Sequence, residues 1–188
     1  MTGCLFFFYD SEEHYDEKDD DSMFAPVHYD GTREEQYTLL LGQLEALIHD
    51  ETNLIANLAN GAALLGQFLQ EINWVGFYLV DEELAAAGKE ELVLGPFQGL
   101  PACVRIPFGR GVCGTSAARR DTVLVPDVHA FPGHIACDAA SRSEIVVPLV
   151  AGDRLIGVLD IDSPRVDRFD AIDQQYLEQF VGKLAAKL

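Results

Sequence analysis

The fold of this chain is decided by two apolar runs, Glu144-Ile-Val-Val-Pro-Leu-Val150 and Leu155-Ile-Gly-Val-Leu-Asp-Ile161. Both are rich in β-branched residues, which favour strands over helices. The residues between them, Ala151-Gly-Asp-Arg154, include glycine and aspartate, which suit a tight turn. The two runs are therefore predicted to pair as an antiparallel hairpin.

The part of the chain around this hairpin divides into helical and strand-rich segments. Helical spacing of apolar residues predicts helices over 33–50, about 52–71 and 169–188. Strands are predicted at 74–80, 92–97, 102–106 and 122–125, a short helix at 114–120, and loops at 81–89 and 126–143. Because strands follow strands, a doubly wound parallel sheet is ruled out. The predicted class is α+β: a single domain with an antiparallel sheet of about six strands, flanked by N-terminal and C-terminal helices.

Residues 1–32 differ in composition from the rest and are predicted to be a disordered acidic tail, which leaves residues 33–188 as the domain. The net charge of −18 repels phosphate backbones, so nucleic-acid binding is not expected. No apolar run approaches the roughly 18 residues that would span a bilayer. The apolar cluster Cys4–Tyr9 lacks the preceding basic segment of a signal peptide. The chain is therefore expected to be cytoplasmic, with no membrane contact.

Three cysteines, Cys103, Cys113 and Cys137, lie within one stretch of 35 residues. A reducing compartment leaves such thiols free, so nucleophilic and resolving redox chemistry is the favoured interpretation. Cys113 precedes the predicted short helix, whose N-terminal amides are expected to lower the pKa of its thiol. The alternative is that the cysteines are small buried hydrophobic residues.

Acidic and aromatic residues recur on the predicted strands. Asp160 and Asp162 alternate along one strand and so share a face, and Glu144 opens the other strand of the hairpin. Acids on an apolar strand indicate a ligand site or a strand end that is open to water. Trp74 and Tyr78 also share a face, either as an apolar wall for a ligand or as plain core.

A metal site is not predicted from the sequence. His129, His134 and Cys137 carry suitable donors, but the chain has no Cys-x-x-Cys and no closely spaced ligand pair. The glycine-rich segment 109–114 lacks the lysine of a phosphate-binding loop and is interpreted as a turn. No cofactor is expected.

From residue 33 to the end, the chain closely resembles the free methionine-(R)-sulfoxide reductases, single-domain proteins of the GAF fold. The resemblance rests on three cysteines in a specific context together with the Gly-Val-Leu-x-Ile strand that GAF domains share. The matching segments are Asn73–Tyr78, Gly95–Gly99, Cys103-Val-Arg-Ile-Pro107, Gly109-Arg-Gly-Val-Cys-Gly-Thr115, Val125–His129, Phe131–Asp138, Ser143-Glu-Ile145 and Gly157-Val-Leu-Asp-Ile-Asp162.

The resemblance implies a reaction and roles for these residues. Free methionine-(R)-sulfoxide would be reduced to methionine while a cysteine becomes a sulfenic acid, which a second cysteine converts to a disulfide that a thioredoxin-type reductant resets. The nucleophile motif of the family maps onto Cys137, with Cys113 a competitor for that role and Cys103 or Cys113 the resolving thiol. The substrate ammonium would lie against Glu144, Asp160 and Asp162, one of which serves as the acid. Trp74 and Tyr78 would form an apolar wall around the thioether.

Two other functions remain open at this level, a GAF sensor that binds a small ligand without catalysis and a thiol-based redox sensor. Both share features with the enzyme, and catalytic turnover on free methionine sulfoxide separates them from it. The apolar N-terminal helices also leave a homodimer open.

Overall fold

A computed structural model describes residues 28–133 and 139–188, and these residues form a six-stranded antiparallel sheet with helices on both faces. The strands are β1 Trp74–Val80, β2 Glu91–Gly99, β3 Arg105–Pro107, β4 Val123–Val125, β5 Ser143–Ala151 and β6 Arg154–Ser163. The helices are α1 Arg33–Leu47, α2 Leu54–Phe68, α3 Glu82–Ala86, α4 Gly111–Arg119 and α5 Ala171–Ala185, with one 3₁₀ turn at Val128–Ala130. The strand order is β3-β2-β1-β6-β5-β4, which places the predicted hairpin β5–β6 next to β1 near the centre. The predicted fold class is confirmed.

The two faces of the sheet carry different cores. Since side chains alternate along a strand, Val75 and Phe77 of β1 point into a large core shared with α1, α2 and α5, whereas Trp74 and Tyr78 point into a smaller one next to α4. Leu40, Leu58 and Phe180 supply fully buried apolar side chains of the large core, one from each covering helix. The three long helices therefore stabilise one face, and the other face is available for a site.

The predicted helices and strands are found, but several bounds differ, and the strand predicted at 102–106 is β3, Arg105–Pro107. The segment 81–89, predicted as a loop, contains α3, whose first turn is capped by the Asp81 carboxylate accepting from the amide of Leu84 at 3.1 Å. The helix predicted over 114–120 begins earlier, at Gly111, so Cys113 lies inside its first turn. The 126–143 loop carries the short 3₁₀ turn.

Most of the predicted tail, residues 1–27, lies outside the described residues. Within the rest of it, Tyr29 packs edge-on against Phe68 of α2, with ring centroids 4.8 Å apart. Among the described residues, no helix is both long and apolar enough to cross a bilayer.

A buried carboxylate ties α1 to α5. Asp173, 1% exposed, accepts from the hydroxyl of Tyr37 at 2.6 Å, from Arg33 at 2.8 Å and from Arg168 at 3.2 Å. The same side chain closes a capping box with Asp170 at the start of α5. Burial and the neighbouring carboxylate raise the pKa of Tyr37 well above its usual value, so the phenol remains a donor.

Removing this carboxylate is expected to destabilise the fold. Asp173→Ala leaves two guanidinium groups and a buried phenol without their shared acceptor, and it should lower the free energy of unfolding by about 3 kcal/mol. The matched control is Asp153→Ala in the exposed β5–β6 turn, which should change it by less than about 0.5 kcal/mol. Urea unfolding measures both variants, and equal midpoints would contradict the role of Asp173.

Candidate active site

The smaller core contains a cavity of about 40 Å³ between the sheet and the first turn of α4. It brings together side chains from β1, β5 and β6, the start of α4 and the segment after β2. The lining residues include Trp74, Tyr78, Ala102, Arg110, Cys113, Ser141, Glu144, Asp160 and Asp162. All five acids and aromatics predicted from the sequence therefore meet in one place.

Strand register explains why the acids meet. Glu144 pairs with Asp162 across β5–β6, and Asp160 lies two residues earlier on the same face. Glu144 and Asp160 are each only 6% exposed, and Asp162 is half-buried. The alternative that these acids lie at a strand end open to water is therefore wrong for Glu144 and Asp160.

Trp74 and Tyr78 line the cavity and also hydrogen-bond the segment that follows β2. Trp74 donates from its indole to the carbonyl of Leu100 at 3.1 Å, and the hydroxyl of Tyr78 donates to the carbonyl of Cys103 at 3.0 Å. Trp74 also stacks on Phe97, with centroids 5.3 Å apart. Glycine is required between Trp74 and Tyr78, because a Cβ on Gly76 would lie 2.3 Å from that of Phe97 and 2.7 Å from the Trp74 ring.

Cys113 contacts the acids directly. Its sulfur lies 3.9 Å from Oε1 of Glu144, and it is buried. Burial, and then the charges of Asp160 and Glu144, raise the pKa of this thiol well above its usual value. The expectation that the α4 amides would lower this pKa is therefore wrong, because desolvation and three nearby acids outweigh a helix terminus. Cys113 is a neutral thiol in this arrangement.

Burial changes the pKa of both paired carboxyl groups, Glu144 and Asp160. Burial, and next the charge of Asp160, raise the pKa of Glu144 well above its ordinary value. Burial also raises the pKa of Asp160, to about 6, while hydrogen bonds from Cys113 and Glu144 oppose that rise. The side chains of Glu144 and Asp160 are hydrogen-bonded to each other, and burial favours the protonated form of Glu144. Oδ1 of Asp160 is buried and has no hydrogen-bond partner among the described residues.

The cysteines differ in state. Cys103 is disulfide-bonded, whereas Cys113 is a free thiol. Cys137 and His134 fall within 134–138, which also lie outside the described residues. His129 is exposed on the 3₁₀ turn and does not line the cavity. Of the described residues, the three that could hold a metal ion are Cys113, Glu144 and Asp160.

Arg110 lines the cavity but was not among the residues predicted from the sequence. It is the residue just before α4, and it is the one cation among the cavity's described lining residues. The amides that open α4, at Gly111 and Val112, lie at the same edge, where the helix dipole is positive. An arginine between two glycines immediately before a helix is the sequence signal that could have revealed it.

Comparison with known proteins places the chain in a family. A model described as GAF domain matches residues 49–188. The free methionine-R-sulfoxide reductase of Escherichia coli is 54% identical over 150 residues, which span 80% of this chain and 87% of that protein. Among solved structures, the free methionine-R-sulfoxide reductase of Neisseria meningitidis in complex with its substrate superposes with a TM-score of 0.79 at 49% identity, over 86% of this chain and 93% of that one. The substrate complex of fRMsr from Staphylococcus aureus gives 0.75 at 52% identity, over 86% and 99%.

The fold and site together define a GAF domain with a buried acid and thiol centre. Within that class, the chain belongs to the GAF-domain family of free methionine-R-sulfoxide reductases.

Proposed function

We propose that this chain reduces free L-methionine-(R)-sulfoxide to methionine by cysteine thiol chemistry. One observation carries the proposal: the same cavity is lined by buried carboxyl groups and by Arg110, the cation that immediately precedes the N-terminus of α4. A free amino acid carries both complementary charges, whereas a methionine inside a peptide carries neither. The relatives in E. coli, N. meningitidis and S. aureus, named for the same substrate, support it.

The amino end of the substrate fits the acidic side. An ammonium beside Asp160 and Asp162 would supply a donor to the buried Oδ1 that lacks one, and would offset the charge of both carboxylates. The carboxylate end fits Arg110 and the first amides of α4, which line the same cavity. Trp74 and Tyr78 then provide the apolar wall for the thioether methyl, a contact that polarisable sulfur favours.

The chemical step transfers one oxygen atom. The Cys137 thiolate attacks the sulfoxide sulfur while Glu144 gives its proton to the sulfoxide oxygen, and that oxygen ends on the cysteine as a sulfenic acid. The substrate sulfur gains two electrons and leaves as methionine, and the cysteine sulfur loses two. The raised pKa of Glu144 supports its role, because an acid must keep its proton at neutral pH.

Thiols then resolve the sulfenic acid and return the enzyme to its reduced state. The Cys103 thiol attacks the sulfenic sulfur, which releases water and forms a disulfide, and a thioredoxin-type dithiol then reduces that disulfide. The disulfide-bonded state of Cys103 supports it as the resolving residue. The high pKa of Cys113 argues against an attacking role, because only a thiolate is a strong nucleophile.

Turnover tests the proposal. NADPH oxidation coupled through thioredoxin and its reductase is measured with free methionine-(R)-sulfoxide, the free S epimer and a peptide-bound sulfoxide. Multiple turnovers on the free R form alone are expected. A folded, reduced protein that turns over none of them would overturn the proposal in favour of a ligand-binding sensor.

Arg110 should govern affinity for the substrate carboxylate. Arg110→Ala removes a charge-assisted hydrogen bond of about 1.5–3 kcal/mol, so KM should rise by about tenfold to a hundredfold with a smaller change in kcat. The control is Arg119→Ala, at the exposed far end of the same helix. An unchanged KM in the Arg110 variant would show that the carboxylate lies elsewhere.

A further inference from the structure

Cys113, Glu144 and Asp160 form a compact donor set that the proposed reaction uses only in part. One ligand atom from each lies within 4.8 Å of the other two, and all three residues are buried. Cys113 supplies sulfur, and the two carboxyl groups supply oxygen. In the mechanism above, Cys113 neither attacks nor resolves, so its place beside two acids calls for a separate explanation.

A second observation points to a cation at this position. Asp160 lines the cavity and is only 6% exposed. Its Oδ1 atom is buried and lacks a hydrogen-bond partner among the described residues. A buried acceptor in this condition is costly unless a donor or a cation satisfies it. The substrate ammonium is one such group, and a metal ion is the other.

We infer that Cys113, Glu144 and Asp160 bind Zn²⁺, and that the bound ion excludes the substrate from the cavity. The donor chemistry selects the metal, since a thiolate favours zinc over magnesium or calcium, and carboxylates complete a set that zinc accepts. Three protein ligands leave the fourth position of a tetrahedral site free, and all three residues line the cavity. The site is therefore open to a water molecule, as in zinc sites that are not purely structural.

The distances allow this coordination with small movements. Zinc binds sulfur at about 2.3 Å and carboxylate oxygen at about 2.0–2.2 Å, so tetrahedral ligand pairs lie about 3.3–3.7 Å apart. The Cys113 sulfur and Oε1 of Glu144 are already 3.9 Å apart. Binding releases the protons that the thiol and the carboxyl group hold, and the resulting three negative charges face a doubly charged ion.

The binding part of this inference stands without the proposed function, and only the competition with substrate rests on it. The ion would occupy the place of the substrate ammonium, so binding of either should weaken binding of the other. Zinc would then act as a reversible, competitive inhibitor. It would leave the disulfide of Cys103 untouched, because Cys113 is a free thiol when that disulfide is present.

Cobalt substitution tests the site directly in the full chain. The oxidised protein, in which Cys103 is disulfide-bonded, is titrated with Co²⁺, and the thiolate-to-cobalt charge-transfer absorption is followed. One equivalent should produce the band, and Zn²⁺ should remove it. Cys113→Ser should abolish the band, Asp160→Asn should weaken Co²⁺ binding by about tenfold or more, and Cys4→Ser should leave the band intact. Absence of the band in the parent protein, or its persistence in the Cys113 variant, would overturn the site.

Competition between the metal and the substrate is measured with the same oxidised protein, which cannot turn over. Excess free methionine-(R)-sulfoxide should remove the cobalt band, whereas glycine at the same concentration, an equally good chelator in solution, should not. A band unaffected by the sulfoxide would overturn the shared position even if the metal binds. The proposed function fails separately, through absence of turnover in a metal-free assay.

Discussion

Replacing Cys137 by serine should lower turnover on free methionine-(R)-sulfoxide by about a thousandfold or more, because a hydroxyl cannot replace the thiolate that takes the oxygen. Cys103→Ser should behave differently. It should still release one methionine per chain in a single turnover, and then stall as a sulfenic acid because no thiol resolves it. The thioredoxin-coupled assay and a single-turnover assay for methionine separate the two variants.

The remaining cysteines supply the controls. Cys4→Ser should turn over like the parent, and Cys113→Ser should continue to turn over at a reduced rate, since it alters the surroundings of Glu144 and Asp160. If instead Cys113→Ser were as inactive as Cys137→Ser is expected to be, while Cys137→Ser still released methionine, the two roles would be exchanged. The buried thiol would then need another source of activation.

Glu144→Gln should lower kcat/KM by about a hundredfold to ten-thousandfold, the range that a positioned acid contributes. Glutamine keeps the shape and the hydrogen bond but has no proton to give to the sulfoxide oxygen. The control is Glu83→Gln on exposed α3, which should leave the rate unchanged. Parent-like activity in the Glu144 variant would show that Glu144 is not the acid that protonates the sulfoxide oxygen.

Unfolding measurements show whether Glu144→Gln is folded, and its free energy of unfolding should depend on pH differently from that of the parent. The pKa of Glu144 is raised in the folded protein, so its contribution to stability is present below the unfolded value of about 4.3 and is lost as pH rises through the folded value. Glutamine does not titrate. The free energy of unfolding of Glu144→Gln should therefore improve relative to the parent as pH rises from about 4 to neutral. The opposite trend would contradict the raised pKa.

Much of the fold could be predicted because its signals are local. The hairpin over Glu144–Ile161 and strand β1 follow from β-branched and aromatic runs bounded by turn residues, and α1 follows from helical spacing. Helix α3 was missed because its five residues rest on a cap at Asp81 rather than on an apolar stripe. Short capped helices leave little periodicity to detect.

The site shows the same division. The shared face of Asp160 and Asp162 follows from the period of a strand, and the pairing of Glu144 with Asp162 follows from the hairpin register. By contrast, the high pKa of Cys113 depends on acids from β5 and β6 that α4 meets only in the folded chain. The place of Arg110 at the cavity likewise depends on how α4 docks. The pKa of Cys113 and the position of Arg110 both depend on burial and on contacts between distant segments, which local sequence does not reveal.

If a free amino acid is reduced at this cavity by the proposed two-cysteine cycle, one turnover must leave methionine and one particular disulfide. Both products are measured after a single turnover of fully reduced protein with free methionine-(R)-sulfoxide and no external reductant, by methionine quantification and by disulfide mapping with mass spectrometry. We expect one methionine per chain, a disulfide between Cys103 and Cys137, and Cys113 still a thiol. Methionine release with Cys113 in the disulfide, or no methionine at all, would contradict the proposed cycle.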